Sequence, residues 1–515
     1  MWSAYLFELR QIQAWIFATG KLRDASGASE LIDSLCGIDE AGAPRGLAAD
    51  LLGHAGLAAT VFRSTGGVLD IAAQDGAGLR QFRALFRLAV AQRAPGLVFG
   101  DSLGEGETPD AARGQARSLA SSGGPVRGTS LPLGSPMVRP APLSGGSPAI
   151  VTGWTKGGRC KITGDFADLP TLAKRQFLKA GNRRLADRFL PAGIAQADRP
   201  RWPVVFAQRE DEDGGGAVFP FGGQDIPRIA LIHADGNGMG QLFAEAAKAF
   251  GGADSTRMPR LSAALAAATQ AAVQAGMTGI AARGADQVVP ARPVLLGGDD
   301  VSLIMRADLA TGFVRRFVAA YEAGATKAVQ GFKELKSWPK LTVKVGIVLL
   351  GPSHPFARAH ELCERLAREA ADPSQSRVAF WRVSGAEIPE TVEALRAQGA
   401  AAEGVTLWRA AHTMEELGRL ETLAELLGHD EIGHSPLRRV AEIAKTSRSE
   451  AEVVFKRALS SVRKRAPEEC GKLVAALKAC GMTGEGIAAG AWCPLLQAHD
   501  LAQVMAPRLR ETEAA

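Results

Sequence analysis

One order of elements is written twice along this chain, and a duplicated unit constrains the fold more tightly than any single motif. The second copy is the clearer. RIALIHA (228–234) is a short apolar run of the buried-strand type, and Asp235-Gly236-Asn237-Gly238 leads from it into a helix over about 239–250. An Ala-rich helix follows over roughly 257–283. ARPVLL (291–296) and VSLIMRA (301–307) read as strands joined by Gly297-Gly298-Asp299-Asp300, a hairpin signal. A helix at about 309–331, a strand at 341–350, a helix at about 356–369 and a strand at 377–383 complete the unit. The expected order is β-α-α-β-β-α-β-α-β, a sheet with helices on one face.

The first copy opens with SAYLFEL (3–9) and continues with helices over about 11–19 and 26–52. AATVFRS (58–64) and VLDIAA (68–73) flank Thr65-Gly66-Gly67, and a helix follows at about 78–92. Laid over each other, the copies bring Arg10 near the place of Asp235, and Gly66 and Gly67 near those of Asp299 and Asp300. The first copy is therefore expected to be structural or to hold a nucleotide, not to catalyse. Residues 101–150 are so rich in Gly, Ser and Pro that no long periodic element is expected there. Glu210–Gly216 marks another boundary, and beyond Gly399–Gly404 the pattern is almost wholly helical. The chain divides on this reading into 1–100, 101–224 (a Gly/Pro-rich linker with a small basic middle domain), 225–395 and a helical 396–515.

Composition narrows the class. With 515 residues, 46% hydrophobic and 22% charged, the chain has an ordinary globular make. It has no 18-residue apolar run, and Met1–Gly20 lacks a basic segment and a small-residue cleavage site. A cytoplasmic protein with no membrane partner is expected. Cys36, Cys160, Cys363, Cys470, Cys480 and Cys493 form no C-x-x-C pair, which fits reduced thiols and no strong zinc site. The net charge of +6 is matched by one stretch: residues 436–478 hold eleven Lys/Arg against five Glu. Such a stretch is either a solvated helix face or a contact for RNA or an acidic protein.

The chemistry centres on three carboxylates. Asp235 ends a strand, and the small residues after it let the backbone turn tightly before a helix N-terminus, a favourable place for a triphosphate. Asp299 and Asp300 sit together at a hairpin tip, where like charges repel unless a cation neutralises them. Magnesium or manganese suits a few carboxylates plus phosphate oxygens. Two such ions about 3.5–4 Å apart would activate an attacking hydroxyl and stabilise a leaving pyrophosphate.

HADGNGMG followed by LLGGDDVSLI resembles the palm domain in the large subunit of type III CRISPR effector complexes, the polymerase/cyclase family that makes cyclic oligoadenylate from ATP. IQAWIFATGKLRDASGASELIDSL (12–35) is similar to the opening of that family's first, inactive palm. HPFARAHELCERLAREA (354–370) and VAFWRVSG (378–385) resemble the helix and strand that end the second palm. The resemblance is specific over about 1–75 and 225–390. It implies an α+β fold with two ferredoxin-like palm (nucleotide cyclase-like) domains and helical middle and C-terminal domains. It also implies Asp235, Asp299 and Asp300 as metal ligands and catalytic residues. Gly236, Asn237, Gly238, Met239 and Gly240 would line the phosphates of ATP, and Gly297 and Gly298 would shape the turn. Guide RNA and repeat-type or small helical CRISPR subunits are the implied partners, with a free-standing assembly as the other arrangement.

Three departures stand out. The chain starts directly at the first palm where members often begin with an HD nuclease domain, so no DNA cleavage is expected. Of a cysteine-rich zinc element between the palms only Cys160 remains. A lysine that usually meets the triphosphate is replaced by the run Ala370-Ala371-Asp372-Pro373, leaving Arg365, Arg368 and Arg377 as candidates. His429-Asp430 and His499-Asp500 are bare dipeptides, and His233 and His360 read as packing or surface residues. A nucleotide-binding scaffold without turnover and a diguanylate cyclase-like enzyme are the competing functions. If the palms face each other, a composite site for two nucleotides would lie between the aspartates and the Gly66-Gly67 turn.

Overall fold

The computed structural model describes residues 1–38, 44–65, 67–122, 126–127, 137–145, 147–150, 167–206, 217–222, 226–250, 257–281, 284, 286–432, 434–483 and 486–513. Gly66, Cys160 and Glu210–Gly216 lie outside them.

The first unit comprises β1 (Trp2–Arg10), α1 (Ile12–Ile16), α2 (Leu22–Leu35), β2 (Gly37–Ile38), β3 (Pro44–Arg45), α3 (Leu47–His54), β4 (Thr60–Thr65), β5 (Val68–Ala73), α4 (Gly76–Arg93), β6 (Val98–Gly106), α5 (Pro109–Ser121) and β7 (Val126–Arg127). Its sheet runs β4-β5-β1-β6-β7. Two features differ from the sequence reading. The helix expected over 26–52 stops at Leu35, and the chain passes through β2 and β3 before α3. Composition argues against regular structure in 101–150, yet β6 runs through residue 100 and α5 follows it, so a boundary at 100 cuts a strand. Local chemistry overrides composition there. Thr108 accepts from the Ala111 N–H, Pro109 opens the helix, and Arg113 pairs with the buried Asp70 at 2.8 Å.

Two short helices, α6 (Leu169–Lys179) and α7 (Arg184–Asp187), precede the second palm. That palm is built from β8 (Ile229–Gly236), α8 (Met239–Phe250), α9 (Arg257–Met277), β9 (Ala291–Gly297), β10 (Asp300–Arg306), α10 (Ala310–Gln330), β11 (Val343–Leu350), α11 (Phe356–Glu369) and β12 (Arg377–Arg382). With α12 (Val392–Gln398) and β13 (His412–Thr413) behind it, the sheet runs β13-β12-β11-β8-β10-β9. Its helices cover both faces, not one. Ala230, Ile232, Ala234, Val301 and Leu303 share a core with Leu261, Phe313 and Phe317 of α9 and α10. Ile229, Leu231, Ile304 and Val348 share the other with Phe356, Leu362 and Leu366 of α11. A central strand apolar at nearly every position, as β8 is, needs cover on both sides.

The C-terminal helices α13 (Met414–Leu427), α14 (His434–Ala444), α15 (Arg448–Arg465), α16 (Pro467–Ala479) and α17 (Leu495–Glu513) extend the first of these cores through Leu420, Phe455, Leu473 and Leu501. The second core continues into the first palm, with Phe7, Phe17 and Phe86 in one cluster with Phe356. A buried polar tie runs alongside. Glu30 on α2 accepts from the Leu185 and Ala186 N–H groups and pairs at 3.3 Å with the fully buried Arg292 on β9. Among the described residues no helix is long and apolar enough to cross a membrane.

Candidate active site

Strand pairing sets the site. In β8 the side chains of Ile229, Leu231, His233 and Asp235 alternate onto the α11 face. Val301 of β10 lies opposite Ala234, which puts Asp300 beside Asp235 on the same face, and Lys344 of β11 lies directly opposite Asp235. Three neighbouring strands therefore present Asp300, Asp235 and Lys344 in one row. Asp299 stands at the turn above it. That turn is the two residues Gly298 and Asp299, closed by the Gly297–Asp300 pair. Gly298 has φ +68°, and a tight hairpin of this kind needs a left-handed first position that glycine supplies at no steric cost.

The carboxylates crowd one another. Asp299 is pushed up to about 6, by burial first and then by Asp235, with which it is within hydrogen-bonding reach. Asp300 is held well above the usual carboxylate range by burial, Asp235 and Asp299. Among the described residues its Oδ1 is buried without a hydrogen-bond partner, and the neutral His233 ring stands beside it with Nδ1 at 3.4 Å. An orphaned carboxylate oxygen among mutually repelling acids is what a divalent cation would satisfy, so the three residues fit a magnesium or manganese site. Lys344 Nζ sits 2.6 Å from Asp235 Oδ2. A group whose ionisation is opposed in the fold contributes stability at low pH that is lost as pH rises from about 4 towards about 6. Metal-free Asp299→Asn should therefore gain melting temperature over the parent as pH climbs through that window. A gain independent of pH would refute the crowding.

The glycine-rich turn divides its roles. Gly238 and Gly240 are exposed where α8 begins, while the Met239 side chain belongs to the core. Gly236 is buried, and a Cβ there would meet Tyr321 Oη at 2.6 Å. Gly297 is buried in β9. Asn237 departs from its expected role. Its N–H donates to the Thr342 carbonyl, and its amide donates to Thr342 Oγ1 and the Asp372 carbonyl. It fastens the 372 loop to the turn rather than facing a phosphate.

Residues to which the sequence reading gave no role at the site surround the row. Lys344 is one, and Tyr321 is another, its buried hydroxyl without a hydrogen-bond partner. His233 and His360, with Glu364, bring three ligand atoms within 4.8 Å of one another directly behind the row. Ser302 joins the two imidazoles, at 2.9 Å and 3.3 Å, and burial lowers them to about 4 and about 3, so both rings are neutral. The i, i+2 spacing of His233 and Asp235 was the available signal. Of the arginine candidates, Arg377 is bound to Asp372 at 2.8 Å, while the charge of Arg368 reaches His233. Asp500 of the second His-Asp dipeptide pairs with Arg382, a packing role.

The first palm differs from its expected overlay. Glu8 lies opposite Val68, and Thr65 pairs with Val68 across the turn. By this register Glu8, not Arg10, holds the place of Asp235, Gly67 that of Asp299 and Val68 that of Asp300. Gly67 is buried, and a Cβ there would meet the Leu9 side chain at 2.7 Å. Arg63 on β4 is the group from this palm whose charge reaches Asp299.

Residues 228–380 match the family model of the Cas10/Cmr2 second palm domain. No curated protein matches the chain by sequence. Among solved structures, a Csm1–Csm4 cassette in complex with cA4 is similar at TM-score 0.52 and 15% identity, over 98% of this chain and 70% of that one. Csm1–Csm4 cassettes with AMPPNP and with cA3 each reach 0.50, at 16% and 15% identity, over 98% of this chain and 69% of theirs. The second palm thus matches the Cas10/Cmr2 second palm domain, and the chain as a whole shares the fold found in these Csm1–Csm4 cassettes.

Proposed function

We propose that this chain is a metal-dependent nucleotidyltransferase that joins ATP into a cyclic oligoadenylate second messenger in CRISPR-type antiviral defence. The observation behind it is the crowding of Asp235, Asp299 and Asp300 at one end of the palm sheet, with one buried carboxylate oxygen that makes no hydrogen bond among the described residues. Bound there, Mg2+ or Mn2+ would supply a Lewis acid for the reacting phosphoryl group. The chain's own residues do the rest. The first turn of α8, from Gly238 to Gly240, offers backbone N–H groups to phosphate, and Arg368 and Arg63 add positive charge from the two sides. The acceptor ATP would lie between the palms, near Arg63 and the turn that ends in Gly67.

The similar cassettes that hold cA4, AMPPNP and cA3 support ATP as the substrate and a second CRISPR subunit as a partner. Incubating the pure chain with each labelled nucleoside triphosphate and manganese tests the reading. Product from ATP alone is expected. Product from GTP would move the chain to the diguanylate cyclases, and no product would leave a nucleotide-binding scaffold.

Guide RNA is the further partner we infer, docked on the C-terminal helices. Arg465 is not available for it, since its guanidinium donates to the Glu431 and Ile432 carbonyls and holds the loop before α14. Lys456, Arg463 and Lys464 on α15 are exposed. Changing these three to Glu should weaken RNA retention in a salt-dependent way, by roughly tenfold or more at low salt. Turnover of ATP should persist. Unchanged retention across salt concentrations would return α15 to a solvated face.

A further inference from the structure

We infer that the ammonium of Lys344 fills one of the two cation positions of this site, so that the carboxylates hold a single divalent ion beside a fixed lysine. The inference rests on the nucleotidyltransferase reading above. Lys344 Nζ lies 2.6 Å from Asp235 Oδ2 and 3.4 Å from the Gly236 carbonyl, and only 16% of its side chain is exposed. This is a built position. The pairing of β11 with β8 sets Lys344 directly across from Asp235, and such cross-strand neighbours have Cβ atoms about 4.5–5.5 Å apart. The ammonium therefore has a short reach to make and two oxygens to hold it.

Two ions about 3.5–4 Å apart share a carboxylate that gives one oxygen to each. Asp235 stands in the middle of the row, between Asp300 and Lys344, and is the residue placed to bridge. Its Oδ2 is already bonded to the ammonium. What remains for a metal is Asp235 Oδ1, Asp299 and Asp300 Oδ1, which makes no hydrogen bond among the described residues and lies 3.4 Å from the neutral His233 ring, a ligand set for one ion. The lysine supplies a single positive charge where an ion would supply two. It does not exchange with solution, and it can donate hydrogen bonds to a phosphate oxygen. A palm built this way needs only one metal from solvent, and its metal dependence should follow a single-site curve.

Electron paramagnetic resonance of the full chain with manganese and α,β-methylene-ATP reads this directly, because two ions bridged by one carboxylate couple and a lone ion does not. The parent chain should show only uncoupled manganese. Lys344→Ser, shown folded by circular dichroism, should show a coupled pair, and Lys344→Arg, which keeps the charge, should remain uncoupled. A coupled pair in the parent chain overturns the inference, as does its absence from folded Lys344→Ser. Manganese binding that survives Asp299→Ala with Asp300→Ala would instead overturn the carboxylate site itself.

Discussion

Replacing Asp299 and Asp300 together by alanine should abolish product formation while the chain stays folded. Both residues sit at the tip of the β9–β10 hairpin and are only half-buried, so their side chains add little to the core. Their removal takes two of three proposed ligands from the reacting phosphate, a loss of several kcal/mol or roughly a thousandfold in rate. A double variant that keeps more than about a tenth of the parent rate would rule the site out. Stability should move the other way. Burial and mutual repulsion raise both acids, so metal-free protein at neutral pH should melt higher once they are gone.

Gly346→Ala should be the most damaging small change in the second palm. Gly346 lies on β11 two residues beyond Lys344, under α11, and a Cβ there would come 2.0 Å from the Cys363 carbonyl oxygen and 2.9 Å from the Ala367 nitrogen. These are backbone atoms of a helix and cannot swing aside. Overpacking of this kind costs about 3 kcal/mol or more. The helix would have to lift, taking with it His360, Glu364 and Arg368. The Cys363 thiol, which donates to the Gly346 and Leu231 carbonyls, would lose its partners. Melting temperature and rate should fall together. Gly418→Ala, in an open stretch of α13, should be neutral or slightly stabilising by comparison. A Gly346→Ala chain that melts like the parent would show that α11 is not seated as described.

The palm strands were legible because each is a run of apolar residues with a turn signal at its end. RIALIHA before Asp235, and ARPVLL and VSLIMRA around Gly298, needed nothing from the rest of the chain. Lys344 was not legible. A lysine between Val343 and Val345 reads as the solvent side of a strand, and only the pairing with β8 reveals that it faces Asp235. Long-range register is not written in local pattern. The same limit explains the overlay that chose Arg10 over Glu8. Helix α5 was hidden for another reason, since the glycines and serines around it outweighed Thr108 and Pro109, the two residues that start it. Asn237 looked like a phosphate contact because it stands among glycines; its partners come from residues 342 and 372.

One apolar cluster joins Phe7 and Phe86 of the first palm to Phe356 and Leu362 of the second, and Glu30 reaches across to Arg292. Neither palm is therefore a portable cassette. If recombination swapped in a relative's catalytic half, its α11 would meet an α1 surface shaped for another partner. A lost Arg292 would strand Glu30 in the interior, at a cost on the order of 3–5 kcal/mol. The two halves must be inherited together and must drift together. The first palm, with Gly67 and Val68 where the second has Asp299 and Asp300, thereby serves the site by holding its neighbour in shape.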